Sequence, residues 1–181
     1  MSVQPAELPA LTLQSERPQD GALVEALVDR AFGPGRFTKV SERVREFATV
    51  APELSICAWS EDRLLGVARM WRVRVGDRPA AFLGPFAVEQ GERNAGFGAR
   101  LIDRACEAAL AAGETHVLLV GDEAYFSRVG FSAALARDVI MPGPVDQRRV
   151  LVRALSAEAG PLSGPIGPAQ GRGGGSKAVS A

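Results

Sequence analysis

The chain has 181 residues, 46% of them apolar and 23% charged, and its 21 Lys and Arg offset its 21 Asp and Glu for a formal net charge of zero. That is enough chain for one ordinary globular domain, and the charge balance argues against a nucleic-acid binder, which carries a basic excess or stripe. No apolar segment approaches the length of a membrane span, and residues 1–20 lack the basic-then-apolar order of a signal peptide, so the expected location is the cytoplasm, with neither membrane nor nucleic acid as partner.

In chain order, apolar residues Leu23, Val24, Leu27, Val28 and Phe32 recur at helical spacing and predict a helix over 20–32, with Asp20 in a capping position. The Gly33-Pro34-Gly35 run ends it, and a second, shorter helix is expected over 39–50. Strands are expected over 54–60, 64–76 and 79–88, joined by tight turns into an antiparallel meander. Arg69, Arg72 and Arg74 lie on the middle strand beside Trp71; they either face an acidic substrate or form a solvated face, and the second reading is the plainer one.

The pattern then changes to an amphipathic helix over 96–113, with Arg100, Asp103, Arg104 and Glu107 polar against Leu101, Ile102, Ala105, Ala108 and Ala109. Its alanines suit close packing on a sheet, and Gly113 stops it. "THVLLVG" at 115–121 reads as a strand buried on both faces. Strand, helix and buried strand make a βαβ crossover that brings Val88 and His116 into roughly parallel strands. A short helix around 123–131 and a last strand within 148–155 follow. The residues therefore imply an α/β chain with an α+β mixed sheet. A single domain is expected over 1–155 and a disordered Gly/Pro/Ser-rich tail over 156–181.

Cys57 and Cys106 sit in apolar patterns and read as buried hydrophobes in a reducing compartment. With one histidine, His116, and no CxxC pair, no metal is expected. His116, inside an apolar strand, reads as structural.

The chemistry-bearing stretch is "RNAGFGARL", Arg93 to Leu101. A helix start exposes unpaired N–H groups at the positive end of its dipole, and such a corner binds phosphate when no side chain blocks the approach. Gly96 and Gly98 remove those side chains and Arg93 adds a positive charge; two glycines alone, however, are more often a plain connecting loop. A Walker loop is excluded because Lys and Ser/Thr are missing. A dinucleotide fingerprint wants Gly or Ala where Leu101 stands and wants its glycines at the strand end, where "EQGERNA" intervenes, although Asp122 lies at a suitable distance for a ribose contact.

Arg93-x-x-Gly96-x-Gly98 matches the Gln/Arg-x-x-Gly-x-Gly/Ala signature of the GNAT superfamily of acyl-CoA-dependent N-acetyltransferases. "LGPFAVEQGERNAGFGARLIDRA" and "AGETHVLLVGDEAYFSRVGF" follow each other in that family's order and spacing, and "LVGDEAYF…GF" with "MPGPVDQRRVLVRAL" resembles a YhbS-like bacterial branch. The resemblance covers about 54–155; the first two helices fit by position. It implies a GNAT-like fold, with a central, mostly antiparallel sheet, one βαβ crossover and flanking helices. It further implies that the strand ending at Val88 splays from the strand after the crossover helix and admits the pantetheine arm of acetyl-CoA. Arg93, Asn94, Ala95, Gly96, Phe97, Gly98 and Ala99 would then hold the pyrophosphate, with the backbone of Phe86, Ala87 and Val88 along the thioester. Pro85 in that strand signals a bulge.

The activity implied is transfer of an acetyl group to an amine of a small molecule or protein. The alternative is a non-catalytic acyl-CoA-binding module, suggested because the position that holds a tyrosine in many members is Phe126. Tyr125, the next residue, is the candidate general acid, or else a half-buried aromatic whose hydroxyl bonds to backbone. Asp122 and Glu123 are candidate bases, with helix capping as the alternative for Asp122. Glu53 and Glu89 are candidates by proximity only. An exposed edge strand would permit a homodimer.

Overall fold

The structure, a computed structural model, describes residues 10–171. Strand β1 (Leu11–Ser15) precedes helices α1 (Gly21–Phe32) and α2 (Val40–Phe47), then strands β2 (Thr49–Val50), β3 (Ile56–Ser60), β4 (Arg63–Val75) and β5 (Arg78–Val88). Helix α3 (Phe97–Ala111), strand β6 (His116–Val120), helix α4 (Glu123–Phe126) and strands β7 (Asp138–Ile140), β8 (Val150–Ala154) and β9 (Ser163–Pro168) complete it. The main path of the sheet is β1-β3-β4-β5-β6-β8. Neighbours run antiparallel except β5–β6, which α3 joins by the expected crossover, and the short β7–β9 pair. No helix among the described residues is long and apolar enough to cross a membrane.

Strand periodicity decides which helix each face meets. Ile56 and Ala58 belong to the core beneath α3, with Leu101, Ile102, Ala105 and Ala109. Cys57 and Trp59, of the other parity, pack with Val24, Leu27 and Val28 of α1. Leu23 and Phe32, expected on the buried stripe of α1, lie on its outer side and are exposed. Both cysteines are free and buried, and burial pushes each thiol up to about 12, as small core hydrophobes require. His116 is fully buried between Thr115 Oγ1 and the Gly160 carbonyl, each 2.8 Å from a ring nitrogen.

Three expectations need correction. The tail reading fails over the described part of 156–181: β9 lies within it and pairs with β4 from Val73↔Pro168 to Val75↔Ile166, burying Leu162 and Ile166. Residues 172–181 lie outside the described residues. Arg69 and Arg72 are not a solvated face. The Arg69 guanidinium lies 2.6 Å from both Glu16 and Glu25, and Arg72 reaches Glu53 and the buried Glu114. Arg69 and Arg72 tie α1 and the loops to the sheet, and neither is left for an acidic substrate; Arg74 donates to the Gly76 carbonyl at 2.9 Å. Asp20 does not cap α1; its carboxylate accepts from the Arg17 backbone N–H and guanidinium one turn earlier, and that pairing holds its pKa below the usual carboxylate range.

Candidate active site

Strands β5 and β6 pair only at Ala81↔Val117 and Phe82↔Leu118, then part. The cause lies in β5. Met70 of β4 faces Leu83 but Ala68 faces Phe86, so β5 carries one extra residue in the Gly84-Pro85 stretch, where the peptide is cis. This is the bulge that Pro85 signalled. Trp71 Nε1 donates to the Gly84 carbonyl at 2.6 Å, satisfying an acceptor that the bulge takes off the ladder. Beyond it, the Glu89 N–H donates to Leu65 O of β4 at 2.8 Å. Alternation along an antiparallel ladder then turns the Phe86 and Val88 amides away from β4, toward the open side.

The glycine corner stands beside this opening. A 3-10 turn over Gln90–Ala95 leads to Gly96, whose φ of 76° is left-handed, and α3 begins at Phe97. A Cβ on Gly96 would meet nothing within 4 Å, whereas one on Gly98 would lie 2.9 Å from the Tyr125 hydroxyl and 3.3 Å from Phe86 Cζ. The corner is therefore open at its apex and narrow on the flank that faces Tyr125. The backbone of Asn94 and Ala95 lies in the turn; their side chains are outside the described residues. Arg93 is exposed. Two of the expected ligand-side residues offer backbone only: the Phe97 ring is buried against Gly66, and Ala87 belongs to the core under α1.

Asp122 begins α4 as its cap, accepting from the Ala124 N–H at 3.1 Å. The helix is only one turn long and passes into a 3-10 turn, so Tyr125 and Phe126 both turn toward Phe86, at centroid separations of 6.3 and 6.1 Å. Phe126 also packs on Phe131 and crowds Gly121. Tyr125 is 41% exposed, and its hydroxyl makes no hydrogen bond among the described residues. Its pKa is raised, mainly by burial and against the opposing charge of Arg128, so the phenol stays protonated through the neutral range.

A cavity of about 560 Å³ fills the opening on the α1–α2 side. Phe32, Lys39, Arg45 and Arg149 line it, none of them singled out as a site residue in the sequence. Of the candidate bases only Asp122 lines it. Glu123 accepts from the Ala133 N–H at 2.9 Å, Glu89 pairs with Arg30, and Glu53 pairs with Arg72. Among the described residues no cluster of His, Cys, Asp and Glu is arranged to hold a metal.

The profile of the acetyltransferase (GNAT) family matches residues 22–131. Among solved structures, the GNAT family N-acetyltransferase YhbS from Escherichia coli, in complex with CoA, superposes with a TM-score of 0.74 at 23% identity, covering 94% of each chain. A GNAT family acetyltransferase from Brucella melitensis, in complex with acetyl-CoA, gives 0.65 at 22% identity over 88% of this chain and 96% of its own. No curated protein matches the chain. The glycine corner separated from β5 by a 3-10 turn and a mostly antiparallel sheet, with parallel pairing only at β5–β6 and β7–β9, also dispose of the dinucleotide-binding alternative, which needs a parallel sheet. With the family profile spanning more than half its length, the chain belongs to the acetyltransferase (GNAT) family.

Proposed function

We propose that the protein transfers the acetyl group of acetyl-CoA to an amine by direct attack, in the opening between β5 and β6. The observation that carries this reading is the parting of those strands after Phe82 and Leu118, next to a helix start with no side chain at Gly96 or Gly98. The backbone of residues 93–99 would receive the pyrophosphate, Arg93 adding charge. With no Cβ at Gly98, the flank of α3 that faces Tyr125 and Phe86 is left clear for the pantetheine arm.

The Phe86 and Val88 amides would line the thioester, one of them donating to the carbonyl oxygen as it becomes an oxyanion. The amine nitrogen forms the new bond to the carbonyl carbon. The carbon–sulfur bond breaks with its electron pair on sulfur, and the amine proton passes to Asp122 or to water. Tyr125, protonated and with no hydrogen-bond partner among the described residues, would donate to the departing sulfur.

Tyr125→Phe is expected to lower kcat by about 100-fold, the low end for removal of a general acid, with acetyl-CoA affinity unchanged. Because burial raises the phenol pKa, Tyr125 should impose no loss of wild-type kcat through neutral pH, and any fall it causes should come only beyond the ordinary tyrosine range. Equal kcat in the variant would remove Tyr125 from the mechanism. The reading as a whole is tested by calorimetric titration with acetyl-CoA, then by thiol release over a panel of amines. Absence of binding overturns it; binding without thiol release from any amine favours the non-catalytic module to which Phe126 points.

A further inference from the structure

The acceptor side of the cavity is built from cations on two distant parts of the chain, helix α2 with its first turn and the loop before β8. Arg45 of α2 is only 11% exposed and is held by Glu42, which accepts from its Nε at 2.8 Å and lies 2.7 Å from Nη2. Both contacts fall on Glu42 Oε2; they use one side of the guanidinium and leave Nη1 facing the bulge, 3.3 Å from where a Cβ on Gly84 would stand. Lys39, at the start of α2, lies over the Phe32 ring at 5.4 Å, and Arg149, just before β8, reaches the Gly121 carbonyl at 3.4 Å. Neither Lys39 nor Arg149 has a carboxylate within ion-pair distance among the described residues.

The carboxylates nearby are otherwise engaged. Glu42 stands behind Arg45 and also approaches Arg36, which Glu25 and Asp29 pair in turn. Asp146 is gripped by Arg148 on the exposed side. Asp122 alone faces the opening with no cation on it, at the β6 end where the amine must arrive. The cavity therefore has an acidic point at the β6 end, where Arg149 also stands beside Gly121, and further basic groups, Arg45 and Lys39, on its α2 side.

We propose that the acceptor is an anionic amine, one whose ammonium meets Asp122 while a carboxylate or phosphate on the same molecule is bound by Arg45, with Lys39 and Arg149 closing on it. A carboxylate or phosphate can accept from Arg45 Nη1 and a second donor together, charge-assisted bonds that an uncharged hydroxyl or methyl in the same place does not make. This rests on the acetyl-transfer reading of the same opening.

The test uses matched pairs that differ only in the anion: leucine and isopentylamine, phenylalanine and phenethylamine, phosphoethanolamine and ethanolamine. Each is titrated by calorimetry into the full chain, free and saturated with coenzyme A. The anionic member of at least one pair is expected to bind about tenfold or more tightly, the gain of one charge-assisted hydrogen bond, and the pair concerned separates carboxylate from phosphate. Arg45→Gln and the double variant Lys39→Gln/Arg149→Gln should each erase the preference, with acetyl-CoA affinity reporting that the fold survives. Since Lys39 and Arg149 are exposed, the double variant decides the matter if Arg45→Gln fails to fold. Equal binding within every pair, tighter binding of the neutral amines, no binding of any, or a preference that survives both variants overturns the proposal. Failure of acetyl-CoA itself to bind would instead sink the acetyl-transfer reading, and the anion preference is then read on the free protein.

Discussion

Replacing Gly98 by leucine is expected to weaken acetyl-CoA binding by about a thousandfold, roughly 4 kcal/mol, while leaving the melting temperature at or above that of the unaltered chain. The two effects separate because Gly98 is the second residue of α3 and has no left-handed φ to preserve. Leucine there recovers helix propensity worth about 0.5–1 kcal/mol relative to glycine. The Cβ would meet only the far end of the Tyr125 side chain, 2.9 Å away, and the Phe86 ring edge at 3.3 Å, and an exposed phenol can swing aside. What cannot move aside is the ligand. The leucine would occupy the gap between α3 and the Phe86–Tyr125 pair, shutting the arm out of the opening and the phosphates off the helix start. Calorimetry and thermal unfolding on the same preparation check both halves. Gly96→Ala is the contrasting variant: at φ 76° a side chain costs about 1–2 kcal/mol of backbone strain, yet it meets nothing within 4 Å, so its larger effect should fall on stability. Undiminished acetyl-CoA binding by Gly98→Leu would mean that the ligand does not pass this flank of α3.

The parts of this molecule that were legible in its sequence are those made by short-range pattern. Helix α3 announced itself through its period, β6 through an unbroken apolar run, and the bulge of β5 through Pro85, which cannot donate to a ladder. The glycine corner was legible as a place without side chains; that it stands beside an opening between β5 and β6 came from resemblance to a family, since no local pattern encodes how far two strands diverge. Tyr125 and Phe126 could not be ranked from helical spacing because α4 is a single turn that relaxes into a 3-10 turn, and both rings reach Phe86. The acceptor wall was expected from the first two helices and the segment after Phe131 by resemblance, but its individual cations were not singled out. Lys39, Arg45 and Arg149 come from a helix near the start of the chain and a loop near its end, and only the folded sheet brings them to one cavity. Strand β1 was missed although Leu11 and Leu13 alternate with Thr12 and Gln14, because five residues carry too little of that signal to stand apart from a loop.

Ending the chain after Leu155 should lower the melting temperature by about 10 °C or more relative to a chain ended after Gly171. The intervening segment reads as coil because glycine and proline fill it, and proline cannot donate to a ladder. It is a strand nevertheless, since β4 is long and β2 and β3 together leave its far end, Val73 to Val75, without a neighbour on the edge away from β5. The prolines cost little there: the Pro165 carbonyl accepts from the Gly76 N–H at 2.9 Å, so the contact uses the acceptor that proline retains. Glycine is required on both sides of that contact, for a Cβ on Gly76 would fall 2.6 Å from Ser163 O and one on Gly164 3.0 Å from Gly76 Cα. Burial of Leu162 and Ile166, at 1% and 7% exposure, is worth about 1.5–3 kcal/mol each. Removing the segment also strips the fully buried His116 of the Gly160 carbonyl and Arg78 of the Ala159 carbonyl. Against this stands the entropy regained by freeing the segment. A net loss of about 4 kcal/mol at about 2–4 °C per kcal/mol gives the stated shift. Leu162→Ala, which keeps the backbone in place, should account for about 2–5 kcal/mol of destabilisation by itself. Equal melting of the two truncated chains would show that β9 rests on the sheet without holding it, and the domain would then end where the sequence first suggested.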